Sequence, residues 1–224
     1  MEVSALLDEF RRRADDRVTP YFTEDEDAIR FAAEAEREAA MRARLIYDAS
    51  TPEVAVYAIT EPGNPVVTLS PLVYHIDAAS WQPSSAGRAQ TVCLTGIDWI
   101  RSQHAWRTRT GSYVTALAHL ERNQVHMYPA PSQAGTLSLA VYRLPLYELE
   151  DIGDEPEIAE EHHLGLVDWM LYRHFSMADG EIEDTQRAQN ALNAFTERFG
   201  ERNGARVMRK HRERRRVTTR YGGC

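Results

Sequence analysis

The sequence predicts an α+β protein: a four-helix bundle formed from both chain ends, an inserted antiparallel β module, and a basic C-terminal tail. Three observations lead there. Apolar residues recur at spacings of three and four near both ends, the middle alternates between turn signals, and arginine is concentrated in residues 206–220.

Val3, Leu6, Phe10 and Ala14 form the first helical stripe, which Thr19-Pro20 interrupts. Thr23 and Glu26 have capping-box spacing, so a second helix is expected from about Glu24. Its stripe is Ala28, Ala32, Ala35, Ala39, Ala43 and Ile46, small enough for another helix to approach closely. The acidic first turn (Glu24, Asp25, Glu26, Asp27) and the late Arg42 and Arg44 suit the helix dipole.

From about residue 50 the period changes. Val54 to Ile59 is apolar at both alternating sets, which predicts a strand buried on both faces. Pro62-Gly63-Asn64-Pro65 marks a turn. Residues 66–69, 72–76 and 91–95 are further strand candidates, whereas 96–124 shows no clear pattern. Residues 125–128 and 136–143 flank Pro129, Pro131 and Gly135 and predict a hairpin, with Leu137, Leu139 and Val141 on one face.

After Pro145, the acidic stretch 148–157 reads as a linker. Leu164, Val167, Leu171 and Phe175 predict a third helix, and Ala188, Leu192, Phe195 and Phe199 a fourth, with Asp179-Gly180 in the loop between. The expected organisation is therefore a helical bundle from 1–48 and 150–204, a β module at 49–149, and a basic arm at 205–224.

Composition narrows the function. The chain of 224 residues is 43% hydrophobic, enough for a sizeable core, and no run approaches the roughly 18 apolar residues of a membrane span. The charged start, MEVSALLDEFRRR, lacks the apolar core of a secretory signal. Two cysteines, Cys93 and Cys224, make no disulfide framework, and synthesis in a reducing cytoplasm is expected.

Motifs that carry chemistry are missing. The sequence has no glycine-rich phosphate loop, no HExxH and no GxSxG, and two cysteines cannot build a thiolate zinc cluster. Glu160-x-x-His163 has the spacing of a di-iron helix, but no second copy accompanies it, so it reads as an ordinary helix start. His162 and His174 add no ligand set, because eleven residues of helix separate His163 from His174. Trp99, Trp106 and Trp169 read as packing anchors. The expectation is a protein with no catalytic residues, no metal and no cofactor.

The charge is uneven. Residues 206–220 hold eight Lys/Arg and one Glu, a charge of +7, leaving 18 basic and 33 acidic residues, −15, in the remainder. Arg206, Arg209, Lys210, Arg212, Arg214, Arg215 and Arg216 are the candidate partner-binding residues, in an arm that suits an acidic protein surface. One alternative is a solvated disordered tail; another is a helical nucleic-acid-binding protein that grips phosphates with this arm, against which the acidic body weighs.

A family resemblance rests on ordered short motifs. They are His126-Met127-Tyr128-Pro129-Ala130-Pro131, Gly135-Thr136-Leu137, and Val141-Tyr142-Arg143-Leu144-Pro145-Leu146. Glu155-Pro156-Glu157-Ile158, the run from Leu166 to Tyr172, Ala191 to Phe195, and upstream Trp106-Arg107 and Gly111 complete the pattern. Over roughly residues 90–200 the chain resembles head-to-tail adaptor (connector) proteins of tailed bacteriophages. The resemblance implies a helical bundle with a β module. It also implies a ring, typically twelve-fold, beneath the portal protein, joined to tail tube, nozzle or tail-completion proteins. Double-stranded DNA would pass through the lumen without sequence-specific binding. The implied location is the virion neck.

Overall fold

The structure is a computed structural model that describes residues 1–202 except 86–87, 121–122 and 178–183. It forms two compact units. The helical unit comprises Met1–Ile46 and Leu144–Arg202; the sheet unit, among the described residues, covers Tyr47–Arg143.

In the helical unit, α1 (Val3–Ala14) buries Val3, Leu6, Phe10 and Ala14, as their spacing predicts, together with Leu7 and Arg11. Its first turn has no side-chain cap. Instead Val3 and Ser4 donate their N–H groups to the carbonyls of Asp154 (2.9 Å) and Ile152 (2.8 Å), so the acidic stretch closes the helix end with its backbone. Helix α2 (Asp25–Ala43) starts where expected and buries Ala28, Ala32, Ala35 and Ala39, while Ala43 is exposed. The capping box does not form, because the Thr23 hydroxyl is engaged by His174.

A 3-10 turn (Glu160–His162) leads into α4 (His163–Phe175), and α5 (Thr185–Phe199) follows, its first turn capped by the Asp184 carboxylate accepting from Arg187 N (2.9 Å). Leu164 faces outward, 49% exposed, while Leu166 and Met170 are fully buried. Val167, Leu171 and Phe175 of the expected stripe are buried, so only its first residue fails, and Leu166 and Met170 widen the buried face. Gly165 lets α5 close in: a Cβ there would lie 2.4 Å from Arg198 Cδ and 2.8 Å from the Phe199 ring. The expected Asp179-Gly180 loop lies outside the described residues.

The sheet unit runs β1 (Tyr47–Asp48), β2 (Val56–Ile59), β3 (Val66–Thr68), β4 (Val73–Pro83), β5 (Gln90–Thr95) and α3 (Ile97–Arg101). It continues with β6 (Thr110–Gly111), β7 (Ala116–His119), β8 (Gln124–Tyr128), β9 (Ala130–Pro131) and β10 (Gly135–Arg143). The large sheet has the order β1-β10-β4-β5-β7-β8-β3, with β2 also on β10. Bulges between Ala140 and Val141 and between Tyr142 and Arg143 break the β10–β4 register and add twist.

The fold class needs correction. The α+β content holds, but the four-helix bundle with an antiparallel module is not what forms. A large curled mixed sheet dominates the middle of the chain, and the described residues contain five helices, one of them, α3, inside the sheet unit. In the helical unit α4 is a hub packed on α5, α2 and α1, while α2 and α5 scarcely meet, so four equivalent bundle sides do not exist. The sheet is mixed because β5 and β7 pair in parallel, Cys93 opposite Ala116. A parallel pair needs a long crossover, and residues 96–115, including α3, provide it.

Two local expectations also fail. The predicted hairpin does not form, since β8 pairs with β7 and β3, whereas β10 pairs with β4, β2 and β1. Both strands have their hydrogen-bonding edges occupied elsewhere, and the Pro-rich connection pairs with β6 instead. Residues 54–55 are not strand, because the Thr51 carbonyl accepts the N–H groups of Val54, Ala55 and Val56 and winds them into a turn. The face assignment for Leu137, Leu139 and Val141 holds, all three being buried. Gly135 sits where a Cβ would meet Gln82 O at 2.5 Å and the Trp81 ring at 2.6 Å.

Candidate functional site

Arg206, Arg209, Lys210, Arg212, Arg214, Arg215 and Arg216 lie outside the described residues. The other residues singled out in the sequence are separated by the fold. Glu160 is exposed and its carboxylate lies 3.8 Å from the Met1 ammonium, whereas His163 is fully buried with Nε2 2.8 Å from Ile158 O. His162 stacks edge-on to Phe199. His174 meets the Thr23 hydroxyl through Nδ1 at 2.7 Å. Among the described residues no three His, Cys, Asp or Glu side chains form a metal-holding group. Trp169 packs on Tyr172 and Phe195, Trp99 on Tyr128, and Trp106 on His126.

What sequence reasoning missed are two separate surface features, each held by buried charge. The first part is the loop between α1 and α2. Arg11, 7% exposed, donates to Asp16 Oδ2 (3.3 Å) and to Thr23 O (3.2 Å), pairs with Asp25, and lies 3.4 Å from the centroid of the Tyr21 ring. Asp16 accepts from the backbone N–H groups of Phe22 (3.0 Å) and Thr23 (3.2 Å). The Thr23–His174 contact ties the same loop to α4. Burial holds the His174 imidazole below its ordinary pKa, although Asp16 pulls it upward. This knot holds a loop whose Val18 (80%) and Phe22 (57%) stand in solvent.

The second part is a cleft of about 430 Å³ lined by Glu36, Leu146, Tyr147, Leu149 and the acidic side chains of Glu148, Asp154, Glu155 and Glu157. At its base the buried Glu36 carboxylate accepts from Glu157 N (2.5 Å) and Ile158 N (3.4 Å). Burial pushes its pKa up to about 7, against the pull of those two N–H groups. Glu157 in turn accepts from Leu146 N (2.9 Å), and Glu155 pairs with the Met1 ammonium. Tyr147 (84%) and Ile152 (55%) are exposed on the same segment.

The sheet unit contributes a buried ion pair, Arg143 Nε to Asp48 Oδ2 at 2.7 Å. Burial opposes ionisation of Asp48, but hydrogen bonds from Thr51, Arg143 and Ser50 hold its carboxyl far below the usual range. These charged groups are fastened to backbone and to each other, an arrangement that positions surfaces.

The loop had a weak signal in the sequence, since Val18, Tyr21 and Phe22 are large apolar residues beside a proline. Tyr147 and Ile152 had none, because apolar residues within an acidic stretch fit a linker equally well.

The family model of the SU10 adaptor protein matches residues 1–220. No curated protein matches the chain.

Proposed function

The chain belongs to the SU10 adaptor protein family, and from that premise we propose that it is the head-to-tail adaptor of a tailed bacteriophage. The family makes it a structural phage adaptor, in keeping with the resemblance carried by its motifs. In the reading proposed, copies form a ring, of twelve subunits, beneath the portal protein in the virion neck. The ring joins the portal to tail tube, nozzle or tail-completion proteins and lets double-stranded DNA pass without sequence-specific contacts. The protein is made in the host cytoplasm and acts without a membrane; no helix of the described residues is long and apolar enough to cross one.

The observation that carries this reading is the family match over residues 1–220. The charge distribution supports it: a −15 remainder repels phosphate, and a +7 arm suits an acidic protein surface. Arg206, Arg209, Lys210, Arg212, Arg214, Arg215 and Arg216 are the proposed portal-docking residues.

Electron microscopy and native mass spectrometry of the protein with its portal test the proposal. A closed ring on the portal is expected, and absence of any ring overturns it. Deleting residues 206–224 should abolish portal docking while the thermal transition of the remainder is kept. The Arg-rich run also favours a second reading, nucleic-acid binding; that reading prevails if the deletion removes salt-sensitive DNA binding and leaves portal docking intact.

A further inference from the structure

The apolar 17–22 loop and the mixed apolar and acidic cleft of the helical unit lie at opposite ends of the same helices. The cleft segment accepts the first N–H groups of α1 and holds His163 at the start of α4. The 17–22 loop follows the end of α1 and is tied to His174 in the last turn of α4. A helix of 12 residues spans about 18 Å, which separates loop from cleft. No single copy can bring the two together through these rigid helices.

We infer that the 17–22 loop of one copy docks into the cleft lined by Leu146, Tyr147 and Leu149 on a second copy. The inference rests on the ring reading above and assigns its subunit contact. Three observations favour a second copy as the occupant. The loop presents Val18 and Phe22 on a backbone already fixed by Asp16, so little freedom is lost on docking. The charges match: Arg17 is exposed beside Val18, and among the described residues its guanidinium donates to the Arg12 carbonyl (3.3 Å). The cleft is acidic as a whole, lined by Glu148, Asp154, Glu155 and Glu157; Glu148 lies 3.8 Å from Arg37 and Glu155 pairs with the Met1 ammonium, yet their side chains stay 61% and 62% exposed. Finally, the two surfaces differ and lie at opposite ends, so contact between them is heterologous, the kind that repeats around a ring instead of stopping at a dimer.

The test places the photo-crosslinker p-benzoylphenylalanine at position 22 of the full chain. Irradiation of a mixture of isotope-labelled and unlabelled protein, alone and with its portal, is followed by peptide mass spectrometry. Crosslinks between labelled and unlabelled copies that map to residues 144–158 are expected. Phe22→Asp and Tyr147→Asp should each weaken self-association about tenfold or more. Arg17→Glu should weaken it in a salt-dependent manner and Glu148→Arg should restore it. Circular dichroism should show an unchanged fold, since all four side chains are exposed.

A ring whose position-22 crosslinks fall elsewhere overturns this contact and leaves the adaptor reading standing. Absence of any self-association, with or without portal, overturns both. A Phe22→Asp protein that assembles normally but fails to dock portal or tail assigns the loop to that partner and overturns the inference.

Discussion

The two units bury charge differently. Among the described residues the helical unit encloses Arg11, Asp16, Glu36, Glu38, His163, Asp168 and His174, whereas the sheet unit encloses Asp48, His126 and Arg143. The reason lies in the packing elements. Alanines on α2 bring helices close but fill little volume, so long polar side chains reach across and fasten loops to helices. The sheet fills its interior with Trp81, Leu117, Met127, Leu137 and Leu139, and among the described residues its buried ion pair is Arg143–Asp48, at the edge strand β1. The comparison teaches that the helical unit spends its buried charge on holding loop positions, and its stability is therefore linked to pH. The sheet unit is the one whose strength rests on apolar packing.

The sharpest way to break this contrast is the sheet unit's buried Arg143–Asp48 pair. Arg143→Ala leaves the Asp48 carboxylate buried without its guanidinium, and a loss of about 3–5 kcal/mol is expected in urea unfolding. A loss below about 1 kcal/mol would mean that backbone pairing and apolar packing hold β1 to β10 without the ion pair.

In the helical unit, Glu36 sets a pH slope. A carboxyl raised to about 7 binds its proton more tightly folded than unfolded. Its contribution is therefore present at acid pH and is lost as pH rises from its ordinary 4.5 towards 7. Glu36→Gln should remove that slope and stabilise the protein at pH 8 by roughly 3 kcal/mol at most. His174 has the opposite sign: held neutral by burial, it loses stability as pH falls below its ordinary 6.5. Thermal melts of wild type and Glu36→Gln across pH 5–8 check both.

Gly135→Ala should cost about 1–3 kcal/mol, because the new methyl meets the Gln82 carbonyl and the Trp81 ring, neither able to swing aside. The smallest effect concerns the loop. Thr23→Ala removes the hydroxyl facing His174 Nδ1 and should cost about 1–2 kcal/mol. Hydrogen exchange at Phe22 should rise more than exchange in β10; equal changes would argue against a loop-holding role for the knot.

Much of this was legible in the residues themselves. Spacings of three and four located the helices at both ends, and alternation identified the buried face of β10. The ordered motifs of residues 106–199 pointed to the family that the match over residues 1–220 shows. Periodicity reports which face of an element meets the interior, since burial repeats with the geometry of that element. It does not report the partner. The strands flanking Pro129 and Pro131 took other neighbours because pairing is a competition across the whole chain. Thr23 turned from its expected cap to His174, 151 residues away. Glu36 became a buried carboxyl because segment 144–158 folded over it. Exposed Phe22 and Tyr147 became candidate contacts only once packing had left them outside. Local chemistry chose the elements; long-range burial chose their neighbours, and with them the surfaces left for assembly.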